Sequence, residues 1–201
     1  MGAIARILLV LCAASAASAA SAQSNPTPVA YAPGDGTPNQ AVLTIPVTAS
    51  VNAQCGFATA PSGTHNEPNF DTHAWSHDFP FVVDCSVASR IAVVSANGAL
   101  LTSGTPAPGY TTAAPYDVAL NVVLDAGGPA AASCPVANLT TGGSCTFRGP
   151  AAVGQGLAVP VTHNQPGSYL RVSAPIYSGA GVLVASNAYA DTLVVTLSPA
   201  T

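Results

Sequence analysis

Six side chains able to do chemistry crowd into one short stretch: His65, Glu67, Asp71, His73, His77 and Asp78. Imidazole and carboxylate groups are ligands for zinc and copper, and the spacing of His73 and His77 would put both rings on one face of a helix. Gly, Pro and Asn surround the segment, however, and Ala74-Trp75-Ser76 between the two histidines lacks the glutamate of an HExxH motif. The expectation is a polar, Trp-bearing surface loop whose histidines are solvated or hydrogen-bonded, with no metal and no other cofactor. Catalytic patterns are equally thin. There is no Gly-x-Ser-x-Gly elbow, and Gly154-Gln-Gly156 lacks the third glycine and following helix of a nucleotide loop. Asp84 and Asp191 have no evident partner carboxylate, so they are expected to face outward or cap turns. No catalytic residue is identified, and the chain is expected not to be an enzyme.

The cysteines carry a firmer message. Arg6, an apolar run from Ile7 to Ala14 and the small residues Ala20-Ser21-Ala22 form a secretory signal peptide over residues 1–22. Its removal takes Cys12 and leaves Cys55, Cys85, Cys134 and Cys145, an even number in an exported chain, which implies two disulfides. Proximity favours Cys55 with Cys85 and Cys134 with Cys145. The chain is therefore expected in the periplasm and then at the cell surface or outside the cell. No later run approaches a membrane span.

Composition points the same way. Only 6% of the 201 residues are Asp, Glu, Lys or Arg, there is no lysine, and the four arginines leave no electrostatic footprint for nucleic acid. Val- and Thr-rich segments alternate with turns supplied by 18 Gly and 18 Pro, a pattern that suits an all-β sandwich.

The strands that must position any site can be taken in order. Residues 23–40 form a Pro-rich N-terminal tail. From Ala41 to Cys55 every odd position is apolar or cysteine, including Leu43, Ile45, Val47, Ala49 and Val51, so a long strand with one buried face is expected. Residues 56–78 form a polar loop. Phe79, Phe81, Val83 and Cys85 line one face of the next strand, followed by Ile91–Ser95, by Tyr116–Asp125, by Leu157 to Val161, by Leu170 to Ile176, by a hairpin around Gly179–Gly181 and by Tyr189–Leu197. Residues 127–156 read as a long connection stapled by its own disulfide. That makes roughly seven or eight strands, the number of a sandwich, and no helix past the signal. A strand-rich domain without a chemical site is expected to work through its edges, by pairing with another chain.

Three stretches resemble the spore coat protein U domain family, which includes subunits of archaic chaperone-usher pili. Leu43-Thr-Ile-Pro-Val-Thr-Ala-Ser-Val-Asn-Ala-Gln-Cys55 resembles the family's alternating first strand, and Phe81-Val-Val-Asp-Cys85-Ser its second-cysteine strand. Tyr189-Ala-Asp-Thr-Leu-Val-Val-Thr-Leu197 is similar to its C-terminal Tyr-x-Asp-Thr signature, and Pro115-Tyr116 to Leu124-Asp125 to its mid-domain strand. The resemblance covers residues 41–197 and implies an incomplete immunoglobulin-like (pilin-type) β-sandwich over 41–201. A periplasmic chaperone, an outer-membrane usher and neighbouring subunits would be its partners, in a pilus or fimbrium serving adhesion and biofilm. Leu43, Ile45, Val47, Ala49 and Val51 are then the candidate subunit-interaction residues. The Cys134–Cys145 pair and the Pro-rich tail depart from the commonest members. A self-contained periplasmic or extracellular binding module using the His- and Trp-bearing loop 64–78 is the alternative.

Overall fold

Alternating apolar residues in short segments give strands rather than helices, and that rule governs this chain. The computed structural model describes residues 46–186 and 188–200. The expected signal peptide, the tail 23–40 and the first residues of the 41–201 domain, with Leu43 and Ile45, lie outside the described residues. Twelve strands run among those described: β1 (Cys55–Thr59), β2 (Trp75–Cys85), β3 (Ser89–Ser95), β4 (Leu100–Leu101), β5 (Tyr110–Thr111), β6 (Ala113–Ala114), β7 (Asp117–Val122), β8 (Ala130–Pro135), β9 (Leu157–Val159), β10 (Ser168–Ala174), β11 (Val182–Leu183) and β12 (Leu193–Pro199). The one helical element among them is a 3-10 turn, Val136–Leu139.

One antiparallel sheet has the order β1-β2-β10-β7-β8, and a second has the order β12-β3-β9. Period-two alternation decides which faces meet. Phe81 and Val83 of β2, Val118 and Leu120 of β7 and Leu170 of β10 share one apolar cluster with Ile91 and Val93 of β3 and Val159 of β9. Burying each such side chain stabilises by about 1.5–3 kcal/mol, so this cluster is the principal reason the two sheets stay together. Buried His163 is satisfied on both ring nitrogens: Nδ1 donates to Val161 O (3.1 Å) and Nε2 accepts from Ser89 Oγ (3.4 Å).

Both disulfides form in the expected pairing. Cys55 and Cys85 face each other across β1 and β2, and Cys134 at the end of β8 is tied to Cys145 beyond the 3-10 turn. Disulfides of this kind form and persist in oxidising compartments. Among the described residues no helix is long and apolar enough to cross a membrane.

Four expectations need correction, the first being the polar loop over 56–78, which is shorter because 56–59 belong to β1 and 75–78 to β2. The strand expected over 41–55 is not met over Pro46–Gln54, which are exposed and carry no secondary structure; Cys55 lies in β1, and 41–45 lie outside the described residues. Alternation supplies a face but not a neighbour, and β1 begins only where β2 offers a ladder. Just before it, Gln54 O accepts from Ser86 N at 2.9 Å. The connection 127–156 contains β8, whose alanines gave no apolar contrast yet pair with β7 from Asp117↔Pro135 to Val122↔Ala130. Finally, the turn around Gly179–Gly181 does not return as a hairpin. β11 pairs in parallel with β5, and Ile176 is 56% exposed. Gly181 has φ +89°, and a Cβ there would meet Gly109 O at 3.1 Å, so glycine suits both the turn and the close approach.

Candidate functional site

Two features lie next to each other: an open sheet edge and a loop bearing most of the histidines. The edge belongs to β12, whose only strand partner among the described residues is β3. Thr192 O accepts from Ala96 N and Ala200 N donates to Ala88 O, so the even-numbered backbone groups face β3. Leu193, Val195 and Leu197 therefore direct their N–H and C=O groups away from it, toward the open side. Their side chains turn inward but are only half-buried. Leu193 and Val195 line a cavity of about 410 Å³ with Phe79, Leu170 and Val172 from the other sheet, and Trp75 at its wall.

The start of β12 is held by Asp191. Its Oδ2 accepts from Ser95 Oγ (2.6 Å) and Tyr116 Oη (2.8 Å), and its Oδ1 from Asn97 N (3.0 Å) and Thr192 N (2.7 Å). The expectation that Asp191 caps a turn is met, and the reach to Tyr116 adds a tie across the core. The Tyr-x-Asp-Thr pattern was the available signal for it, though not for its partners.

Above the cavity the expected loop takes shape. Glu67 bridges two histidines: His65 Nε2 donates to Oε2 at 3.1 Å and His73 Nε2 to Oε1 at 2.9 Å. The His73 hydrogen bond, foremost, holds the Glu67 carboxyl below the usual carboxylate range. His77 joins His65 rather than His73, their rings stacked with centroids 4.1 Å apart and planes at 11°. His77 lies in β2, where Phe79 packs edge-on against it at 4.7 Å. Asp78 belongs to neither group. It pairs with Arg171 across the β2–β10 ladder, at 2.6 and 2.7 Å, and that bond lowers its pKa. Among the described residues no three His, Cys, Asp or Glu side chains are placed to hold a metal ion.

A second cavity, about 690 Å³, opens between loop 65–71 and residues 183–186, with Tyr189 in its wall. His65 and Trp75 line both cavities. Phe70 and Tyr189, which the sequence did not single out for this place, meet edge-on at 5.3 Å on its wall. The Trp75 indole N–H is buried and has no hydrogen-bond partner.

Of the candidate subunit-interaction residues within the described range, Val47, Ala49 and Val51 are exposed, Val47 and Val51 each at 87%. Cys85 is buried and Cys55, Cys134 and Cys145 are partly so, holding the scaffold rather than a site. No family model, no curated protein and no solved structure matches the chain.

Proposed function

We propose that the chain is an exported structural subunit of a surface appendage, assembled by β-strand donation. The observation that carries this reading is the pairing of a vacancy with a candidate to fill it. Among the described residues the edge of β12 away from β3 has no strand partner and borders an apolar cavity, and Pro46–Gln54, the described part of the alternating segment, are exposed and carry no secondary structure. An immunoglobulin-like sandwich short of one strand would present such an edge, and a strand added there gains main-chain hydrogen bonds while alternate side chains fill pockets. Leu43, Ile45, Val47, Ala49 and Val51 have the required period. The donor would be the segment of a second copy, with a periplasmic chaperone holding the groove before an usher passes the subunit on. The likeness to spore coat protein U domains supports the same reading, and adhesion or biofilm formation is the role it implies.

The experiment is replacement of Ile45 or Val47 by Asp in the producing cell. Surface polymer should disappear, because a carboxylate cannot enter an apolar groove without a large desolvation cost. Wild-type amounts of polymer from either variant would sink the reading.

A further inference from the structure

The second cavity invites a different question, since strand donation makes no use of it. We infer that the cleft lined by loop 65–71, residues 183–186 and Tyr189 binds a neutral saccharide. Its volume, about 690 Å³, falls within the range of small-ligand sites. Three aromatic side chains, Phe70, Trp75 and Tyr189, line it, and apolar ring surface suits the C–H faces of a sugar. Tyr189 is fixed in place: its hydroxyl donates to Val184 O at 3.0 Å. Asn66, Asn69 and Asp71 add exposed amide and carboxylate groups to the wall, able to donate and accept to hydroxyls.

Charge narrows the ligand further. No Lys or Arg lines the cleft, whereas Glu67 and Asp71 do, so phosphorylated, sulfated or uronic ligands would meet two carboxylates with no Lys or Arg to offset them. The carboxylate of Glu67 is already taken by two histidines. Trp75 contributes ring surface to the cleft, while its indole N–H is buried.

Trp75 is the chain's only tryptophan, so its fluorescence reports on the cleft and on the first cavity that it also lines, and the Asn66→Ala variant, at a residue of the cleft alone, tells the two apart. The purified protein is titrated with a panel of neutral mono- and oligosaccharides, with sialylated and sulfated glycans and with unstructured peptides as competing classes. A saturable change in emission with neutral saccharides is expected. By calorimetry, Trp75→Phe, which replaces the indole with a smaller ring and so removes apolar contact area, should bind about tenfold more weakly. Asn66→Ala, on an exposed loop position, should weaken binding with no change in unfolding midpoint. The inference is overturned by no saturable response to any neutral saccharide, by a response confined to acidic glycans or to peptides, or by unchanged affinity in both variants. Val47→Asp keeps the cleft, because Val47 is 87% exposed, so loss of assembly and loss of sugar binding are separable outcomes.

Discussion

Tyr116 donates its phenolic hydrogen to Asp191 at 2.8 Å, joining residues 75 positions apart in sequence. The bond fastens the residue before β7 to the turn that launches β12, and so sets where the open edge lies. Asp191→Ala would strip acceptors from Tyr116, Ser95 and two backbone amides at once. Unsatisfied groups of this kind cost about 1–3 kcal/mol each, so a loss of about 2–5 kcal/mol is expected, allowing for water reaching the exposed amides. Tyr116→Phe should cost about 1–2 kcal/mol. Urea unfolding of both single variants and the double variant checks this. Strict additivity would show that the pair does not act as one unit.

The same pair predicts an alkaline limit. Burial, and after it the Asp191 hydrogen bond, holds the Tyr116 hydroxyl far above the ordinary phenol range. In the unfolded chain it ionises near pH ~10. Above that pH the unfolded state releases a proton that the folded state keeps, so stability is full below about pH 10 and falls as pH rises beyond it. Tyr116→Phe should show a shallower decline in unfolding midpoint between about pH 9 and 11. Some slope should persist, because burial also raises the Tyr189 hydroxyl. Identical slopes in the two proteins would contradict this assignment.

How much of this was visible beforehand depends on what each feature rests on. Strands whose apolar residues alternate against polar ones were legible in their centres: Phe79 to Cys85 faces as the period requires, while the expected Tyr116–Asp125 ends at Val122 and the expected Tyr189–Leu197 begins only at Leu193. So was the disulfide pairing, since neighbouring cysteines on strands and loops need little chain to meet. β8 was hidden because Ala130-Ala-Ala132 has no contrast between faces, and only its ladder with β7 defines it. The site was half legible. The loop expected over 56–78 was found by composition in its middle only, since its ends join β1 and β2, and Tyr189 and Phe70 come together through tertiary folding that no local spacing encodes. Pairing His77 with His65 instead of His73 has the same origin, since β2 begins at Trp75 and straightens the segment a helix would have curled.

Acid should act through Asp78. The Arg171 hydrogen bonds hold its carboxyl below the usual range, so the stabilisation is present above about pH 4 and is lost as pH falls through the still lower folded value. Both side chains are about 40% exposed (43% and 40%), so solvent screening limits the effect to about 1 kcal/mol or less. Asp78→Asn should lower the unfolding midpoint slightly at pH 7 and flatten the acid limb below about pH 4. In 1 M salt the difference between the two proteins should shrink. A gap that is insensitive to both pH and salt would mean that packing, not charge, is the contribution of this pair.

Strand donation makes a prediction that needs no cell. If β12 offers a vacant edge, a synthetic peptide copying residues 41–53 should bind in trans and stabilise the protein that lacks its donor. Binding to the folded state alone raises stability by RT ln(1 + [L]/Kd), about 2.7 kcal/mol at a hundredfold excess over Kd. For a domain of this size that is a rise of about 5–10 °C in Tm. The gain should grow with peptide concentration, as mass action requires. A peptide with Asp in place of Ile45 and Val47 should give no shift, because its backbone could still reach the outward groups of Leu193, Val195 and Leu197 while its charged side chains could not enter the cavity they border. Equal shifts from both peptides would place the binding elsewhere. No shift from either would mean that the free edge of β12 is simply a sheet edge, blunted by the half-burial of its inward side chains and by Pro199 at its end.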